Sequence, residues 1–72
     1  MEEIYVKLLD EGTGVYRPVP AQRISESVYV INDNATYNTA GETWEYPPGS
    51  RVQVARRLLS GQLKLVAIRL DP

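Results

Sequence analysis

Thr43-Trp44-Glu45-Tyr46-Pro47-Pro48-Gly49-Ser50 holds the only Trp and the only Pro-Pro pair of the chain. Burying one such aromatic removes about 150 to 250 Å² from water, an upper bound of roughly 4 to 6 kcal/mol at ~25 cal/mol per Å². In a domain of 72 residues that is a large share of the net stability. Proline fixes φ and donates nothing to a sheet ladder, so Pro47 and Pro48 end whatever element Trp44 and Tyr46 belong to. Gly49 then permits a reversal, and Val52 begins a fresh strand. The stretch therefore predicts an aromatic plug at the corner of a small β domain.

Working outward, period-two segments recur on both sides. Residues 4–9 set Ile4, Val6 and Leu8 on one face of a strand. Two glycines and flanking acids break it at residues 10–14. A second strand covers 15–21, where Pro18 and Pro20 remove two ladder donors and so predict an edge, or a departure from the sheet. Residues 22–26 read as a polar connection, and 27–32, with Val28, Tyr29, Val30 and Ile31, as a third strand. Residues 33–42 form the longest irregular segment. Arg51–Leu59 places Val52, Val54 and Leu58 on one face and leaves Arg56 pointing the wrong way, so a bulge or a strand end is expected near Ala55. Ser60-Gly61 supplies a hairpin turn, and Gln62–Leu70 is the last strand, with a bulge expected near Leu65 and Val66.

Five short strands without a helical period predict an all-β fold, a small five-stranded antiparallel SH3-like barrel forming one domain. Closure is preferred to an open sheet because pairing the first strand with the last hides a long edge and an apolar face together. An OB-fold is less suited, since no helix separates the third strand from the fourth.

Composition narrows the chemistry. The chain contains no Cys and no His, which removes disulfides, thiolate metal sites, the usual zinc ligand and the usual general base near neutral pH. No cofactor or metal is expected, and an enzyme is the least favoured class. Neither a secretory signal nor a run near the ~20 residues of a membrane span is present, so a cytoplasmic protein without membrane attachment is expected. The formal charge of −1 hides an asymmetry: residues 1–46 carry eight acids against three bases, and residues 47–72 five bases against one acid.

Three stretches, Tyr5-Val6-Lys7-Leu8-Leu9-Asp10-Glu11-Gly12-Thr13, Tyr16-Arg17-Pro18-Val19 and Trp44-Glu45-Tyr46-Pro47-Pro48-Gly49-Ser50, resemble a group of small, uncharacterised bacterial β-barrel proteins. Their pattern runs as leucines, an acidic-Gly-Thr turn, aromatic-Arg-Pro-Val and Trp-Glu-aromatic-Pro-Pro-Gly. The resemblance spans nearly the whole chain and implies the barrel architecture, without implying an activity. Tyr16 departs from the Trp of that pattern, and residues 33–42 are longer and more neutral than it.

Two sets of side chains are candidate sites. Tyr16, Tyr29, Trp44 and Tyr46 either gather on one face, as aromatics do that grip a proline-rich peptide or a methylated lysine, or fill a core that has no Phe. Arg51, Arg56, Arg57, Lys64 and Arg69 either form a phosphate-contacting patch beside stacking rings or are a solvated face. The first set implies a protein or peptide partner, with homodimerisation through an edge strand also open. The second implies nucleic acid. Clustering of the five bases beside exposed rings would favour nucleic acid, and scattering would favour a protein partner or a purely structural role.

Overall fold

The computed structural model describes residues 2–10, 12, 14–32 and 43–72. Five strands follow one another, β1 (Glu2–Lys7), β2 (Tyr16–Ser25), β3 (Val28–Ile31), β4 (Arg51–Leu59) and β5 (Gln62–Leu70), with no helix among the described residues. Each pairs antiparallel with the next, and β5 returns to β1, closing the sheet into a barrel in the order β1-β2-β3-β4-β5. Strand number, size and closure are those of a small SH3-like barrel. Residues 33–42, the expected long irregular segment, lie outside the described residues.

The seam has a different sense from the other pairs. In an up-and-down meander the direction alternates, so the first and fifth strands run the same way, and β1 meets β5 parallel with Tyr5 opposite Val66. Parallel pairing lacks the short-turn geometry of a hairpin, and here it is confined to that one register pair.

Alternation fills the interior. Ile4, Val6 and Leu8 from β1 and its end, Val19 and Ala21 from β2, Tyr29 and Ile31 from β3, Val52 and Val54 from β4 and Ala67 from β5 make one core cluster with Trp44. The indole is 3% exposed. It is held by backbone pairing as well as by packing: Leu8 and Trp44 form an antiparallel bridge, Leu9 N–H donates to Thr43 O at 2.8 Å and Glu45 N–H to Lys7 O at 2.8 Å. Next along the chain, Ser50 N–H donates to Pro47 O at 3.1 Å, a turn with Gly49 at φ 90°. A positive φ at the third position is the type II arrangement, which favours Pro at the second and Gly at the third. Gly49 N–H then reaches Ile31 O at 2.8 Å and Ser50 O accepts from Ile31 N–H at 2.9 Å. The stretch from Thr43 to Ser50 thus ties the end of β1 to the end of β3 and stops one rim of the barrel.

Three local expectations differ from the structure. Residues 22–25 are not a connection but the second half of β2, pairing with β3 while the first half pairs with β1. Ile24 is the extra residue of a bulge there, between Arg23 opposite Tyr29 and Ser25 opposite Val28. The β4–β5 irregularity falls between Gln53 and Val54, beside the expected Ala55, but its extra residue is Ile68 on β5, between Ala67 opposite Val54 and Arg69 opposite Gln53, and no separate bulge occurs at Leu65 and Val66. Arg56 needs no bulge because β4 has by then run past β3, whose register with it ends at Val28 opposite Gln53. The side of β4 that faces the core at Val52 and Val54 meets solvent at Arg56 and Leu58.

Pro18 and Pro20 sit in the half of β2 paired with β1. Asn32 N–H donates to Pro20 O at 3.0 Å, so the missing Pro20 donor also faces the β3 side. Pro18, two residues earlier, faces the same way. Asn32 continues the β3 register opposite Pro20, where the absent Pro20 donor leaves that pair one bond instead of two, and among the described residues no strand stands opposite Pro18 on that side.

Trp44→Ala should cost about 3 to 5 kcal/mol, most of the stability of a domain this size. Urea denaturation followed by far-UV circular dichroism should find the variant largely unfolded in buffer and Trp44→Phe folded with a lower midpoint. A Trp44→Ala midpoint close to wild type would show that the rim plug does not hold the barrel.

Candidate functional site

The four aromatics of the first candidate set do not form one face. Trp44 and Tyr29 are each 3% exposed and belong to the core. The Tyr29 hydroxyl donates to Glu2 Oε1 at 3.0 Å, and burial first, then the Glu2 carboxylate, push the phenol above its ordinary pKa. Tyr46 is half-buried against the core, and burial followed by the charge of Glu45 raises it likewise. Tyr16 is half-buried at the start of β2. Two of the rings are therefore packing side chains, and only Tyr16 and Tyr46 keep accessible area.

The five bases also separate. Arg51 is held at one end of β4, where its Nε lies 2.8 Å from Asp71 Oδ2. Asp71 Oδ1 accepts from Gln53 Nε2 at 3.0 Å, and Asp71 N–H donates to Arg51 O at 2.9 Å. The bond from Gln53, and then the bond and charge from Arg51, hold the Asp71 carboxyl below its ordinary pKa against an opposing desolvation. Arg69 stands opposite Gln53 in the same region. Arg56, Arg57 and Lys64 lie farther along the hairpin, with Arg57 directly opposite Lys64.

A different grouping emerges at that far end. Residues directly opposite across a ladder share a face. On β1 and β2 the outward face carries Tyr5 opposite Pro18 and Lys7 opposite Tyr16. On the hairpin the corresponding face carries Arg57 opposite Lys64 and Ala55 opposite Val66. Lys64 Nζ sits 5.7 Å from the centre of the Tyr5 ring, within cation–π range. Between the two faces lies an open cleft of about 610 Å³ lined by Tyr5, Val15, Tyr16, Leu58, Leu59 and Ser60. An adjoining hollow of about 380 Å³ shares Tyr16, Leu58 and Leu59 and adds Lys7, Glu45 and Arg57. Among the described residues, none of Lys7, Arg56, Arg57 and Lys64 forms an ion pair.

The tip of the hairpin is apolar as well as basic. Leu58 and Leu63 face each other in register and are 70% and 65% exposed. Ser60 and Gly61 turn the chain with φ of 52° and 81°, both positive as the tightest hairpin turns require. That two-residue turn fixes the register. It would have placed Leu63 beside Leu58 and Lys64 beside Arg57 from the sequence alone, a signal that reading each strand separately misses. Tyr5 and Lys7 carried no such signal, because their neighbours come from β2 and β5.

Among the described residues, no group of three or more His, Cys, Asp or Glu side chains is placed to hold a metal ion, and no helix is long and apolar enough to cross a membrane. No protein family, curated protein or solved structure matches the chain in comparison.

The Asp71 clamp has a sign that acid titration reads. Because the native carboxyl is held below its ordinary pKa, its contribution is fully present above that value, ~4 for Asp, and is lost as pH falls through the lowered native one. Thermal melts should show Asp71→Asn less stable than wild type at pH 7 and the two converging near pH 2. A gap unchanged between those pH values would mean that the charge of Asp71 contributes nothing.

Proposed function

We propose that this protein is a non-enzymatic, cytoplasmic interaction module that binds a segment of a protein partner along the outer half of the β4–β5 hairpin. The observation that carries the reading is the in-register pair Leu58 and Leu63, exposed at 70% and 65% on an element whose first half lies in the core. Isolated exposed apolar residues are ordinary. Leu58, opposite Leu63, also lines the cleft with Tyr5, Tyr16 and Leu59, and so joins the exposed pair to further apolar surface, the feature that accompanies partner binding. Lys7 and Arg57 in the adjoining hollow, with Lys64 beside Tyr5, add cations that supply orientation and speed encounter.

This moves the interaction surface away from the Trp44 corner. The Trp44 ring, 3% exposed, has no face to offer a ligand, whereas Leu58 and Leu63 stand in solvent.

A second reading, single-stranded nucleic acid, draws support from Lys64 beside the Tyr5 ring and from Arg57 and Lys7 around Tyr16. Base stacking on tyrosine between phosphate-binding cations is the usual arrangement for such ligands. Against it stand Glu45 in the same hollow and Arg51 already committed to Asp71.

Selection of a random peptide library on the immobilised protein should yield binders that lose at least tenfold in affinity for the double variant Leu58→Ser, Leu63→Ser, with its melting temperature close to wild type. Peptides that bind both proteins equally would overturn the hairpin as the surface. An oligothymidine that binds at 150 mM salt and is lost in Arg57→Ala, Lys64→Ala, with no peptide selected, would transfer the function to nucleic acid.

A further inference from the structure

We infer that the segment recognised is an acidic extended strand, which adds to the open edge of β4 once one of its carboxylates has drawn the Arg57 guanidinium off the carbonyl of Arg56; this rests on the reading of the hairpin as the binding surface.

The backbone defines the edge. Val54 N–H donates to Ser27 O at 2.8 Å, so Val54 turns its backbone groups toward β3. Strand geometry turns those of Arg56 and Leu58 the same way, because alternate residues point to the same neighbour. The register of β3 with β4 has ended by then, with Val28 opposite Gln53. Among the described residues no strand stands opposite Arg56 and Leu58 on that side. A row of open backbone groups is a template for another strand, and proteins commonly protect it.

The protection here is a side chain. Arg57 Nη1 donates to Arg56 O at 3.0 Å and so occupies the place where the N–H of an added strand would lie. On β2 the corresponding residue is Pro18, whose effect on the β3 side is permanent because it deletes the donor itself. An exposed arginine is reversible, since a bond to a neutral carbonyl in water is weaker than a charge-assisted bond to a carboxylate.

Charge decides which strand gains entry. Arg57 stands directly opposite Lys64, a like-charge arrangement that is unfavourable across a ladder unless an anion intervenes. Arg56, on the opposite face with Leu58, adds a third cation along the same edge, and none of the three forms an ion pair among the described residues. A second copy of this chain pairing through its own β4 would bring Arg56 and Arg57 of both copies together, which disfavours it as occupant. An acidic strand neutralises the cluster instead. Because side chains alternate, its acids would fall beside Arg57 and Lys64 and its apolar residues beside Leu58 and Leu63, so the recognised pattern alternates acidic and apolar residues.

Three eight-residue peptides of equal length, alternating Glu-Val, Thr-Val and Lys-Val, titrated into the full ¹⁵N-labelled chain would test this. The Glu-Val peptide should shift the amides of Arg56 and Leu58, slow their hydrogen exchange, and bind at least tenfold more tightly than Thr-Val. In Arg57→Ala, its melting temperature checked against wild type, that ratio should fall below threefold and the Thr-Val peptide should gain affinity, its edge no longer covered. Equal affinities for Glu-Val and Thr-Val in the wild type, or undiminished binding of a backbone N-methylated Glu-Val peptide, would each overturn the inference while leaving the hairpin reading standing, whereas shifts that spare both Arg56 and Leu58 would overturn the two together. Failure of all three peptides to bind would overturn both.

Discussion

Closure of the sheet through a single parallel pair, Tyr5 opposite Val66, is the constraint on which the rest of the molecule depends. Five strands in a meander must meet with first and last aligned, and such a seam gains less from regular pairing than a hairpin does. Packing has to supply what the ladder does not. Beyond Tyr5, β1 turns to a different neighbour, and Leu8 is bridged by Trp44. One edge of β1 is therefore shared between β5 and the rim plug, which explains why the single Trp lies in the core and not on a binding face. β5 reaches that seam only at Val66, and its earlier residues pair with β4 alone in the two-stranded extension that carries Leu58, Leu63, Arg57 and Lys64.

The fold class was legible because its main signals are local. Arg51–Leu59 and Gln62–Leu70 end where the sequence predicts, since Pro47, Pro48 and Gly49 delimit one side and Ser60-Gly61 fixes the turn between them. Residues 22–25 misled because Gln22, Arg23 and Ser25 are polar, and polarity reads as a connection. In the structure they lie on a strand exposed on both faces, held by the β3 ladder and not by burial. The bulge at Ile24 has no signal in the alternation of β2, and the one at Ile68 is displaced from the expected positions because the phase of alternation shows that a residue has been inserted without showing on which strand the ladder absorbs it.

The site was less legible for a different reason. Aromatic residues attract attention in a short chain, yet Trp44 and Tyr29 were needed inside, where no Phe is present to share the work. What distinguishes Tyr5 and Lys64 is their meeting across the seam, a contact between residues far apart in sequence. Composition supplied five bases near the C-terminal end, and only the register separated Arg51, committed to Asp71, from Arg57 and Lys64, which are not.

The parallel sense of the seam also bears on how the chain could be reconnected. Neighbouring antiparallel strands present their free ends side by side, so a loop of a few residues joins them. Here the start of β1 and the finish of β5 lie toward opposite ends of the barrel, and a tether between them must run its length. At ~3.3 Å per residue, a connector shorter than about eight to ten residues would pull the seam apart. Circularisation of this barrel is thus governed by topology before sequence, and a new opening at the Ser60-Gly61 tip would be tolerated only with a long enough bridge.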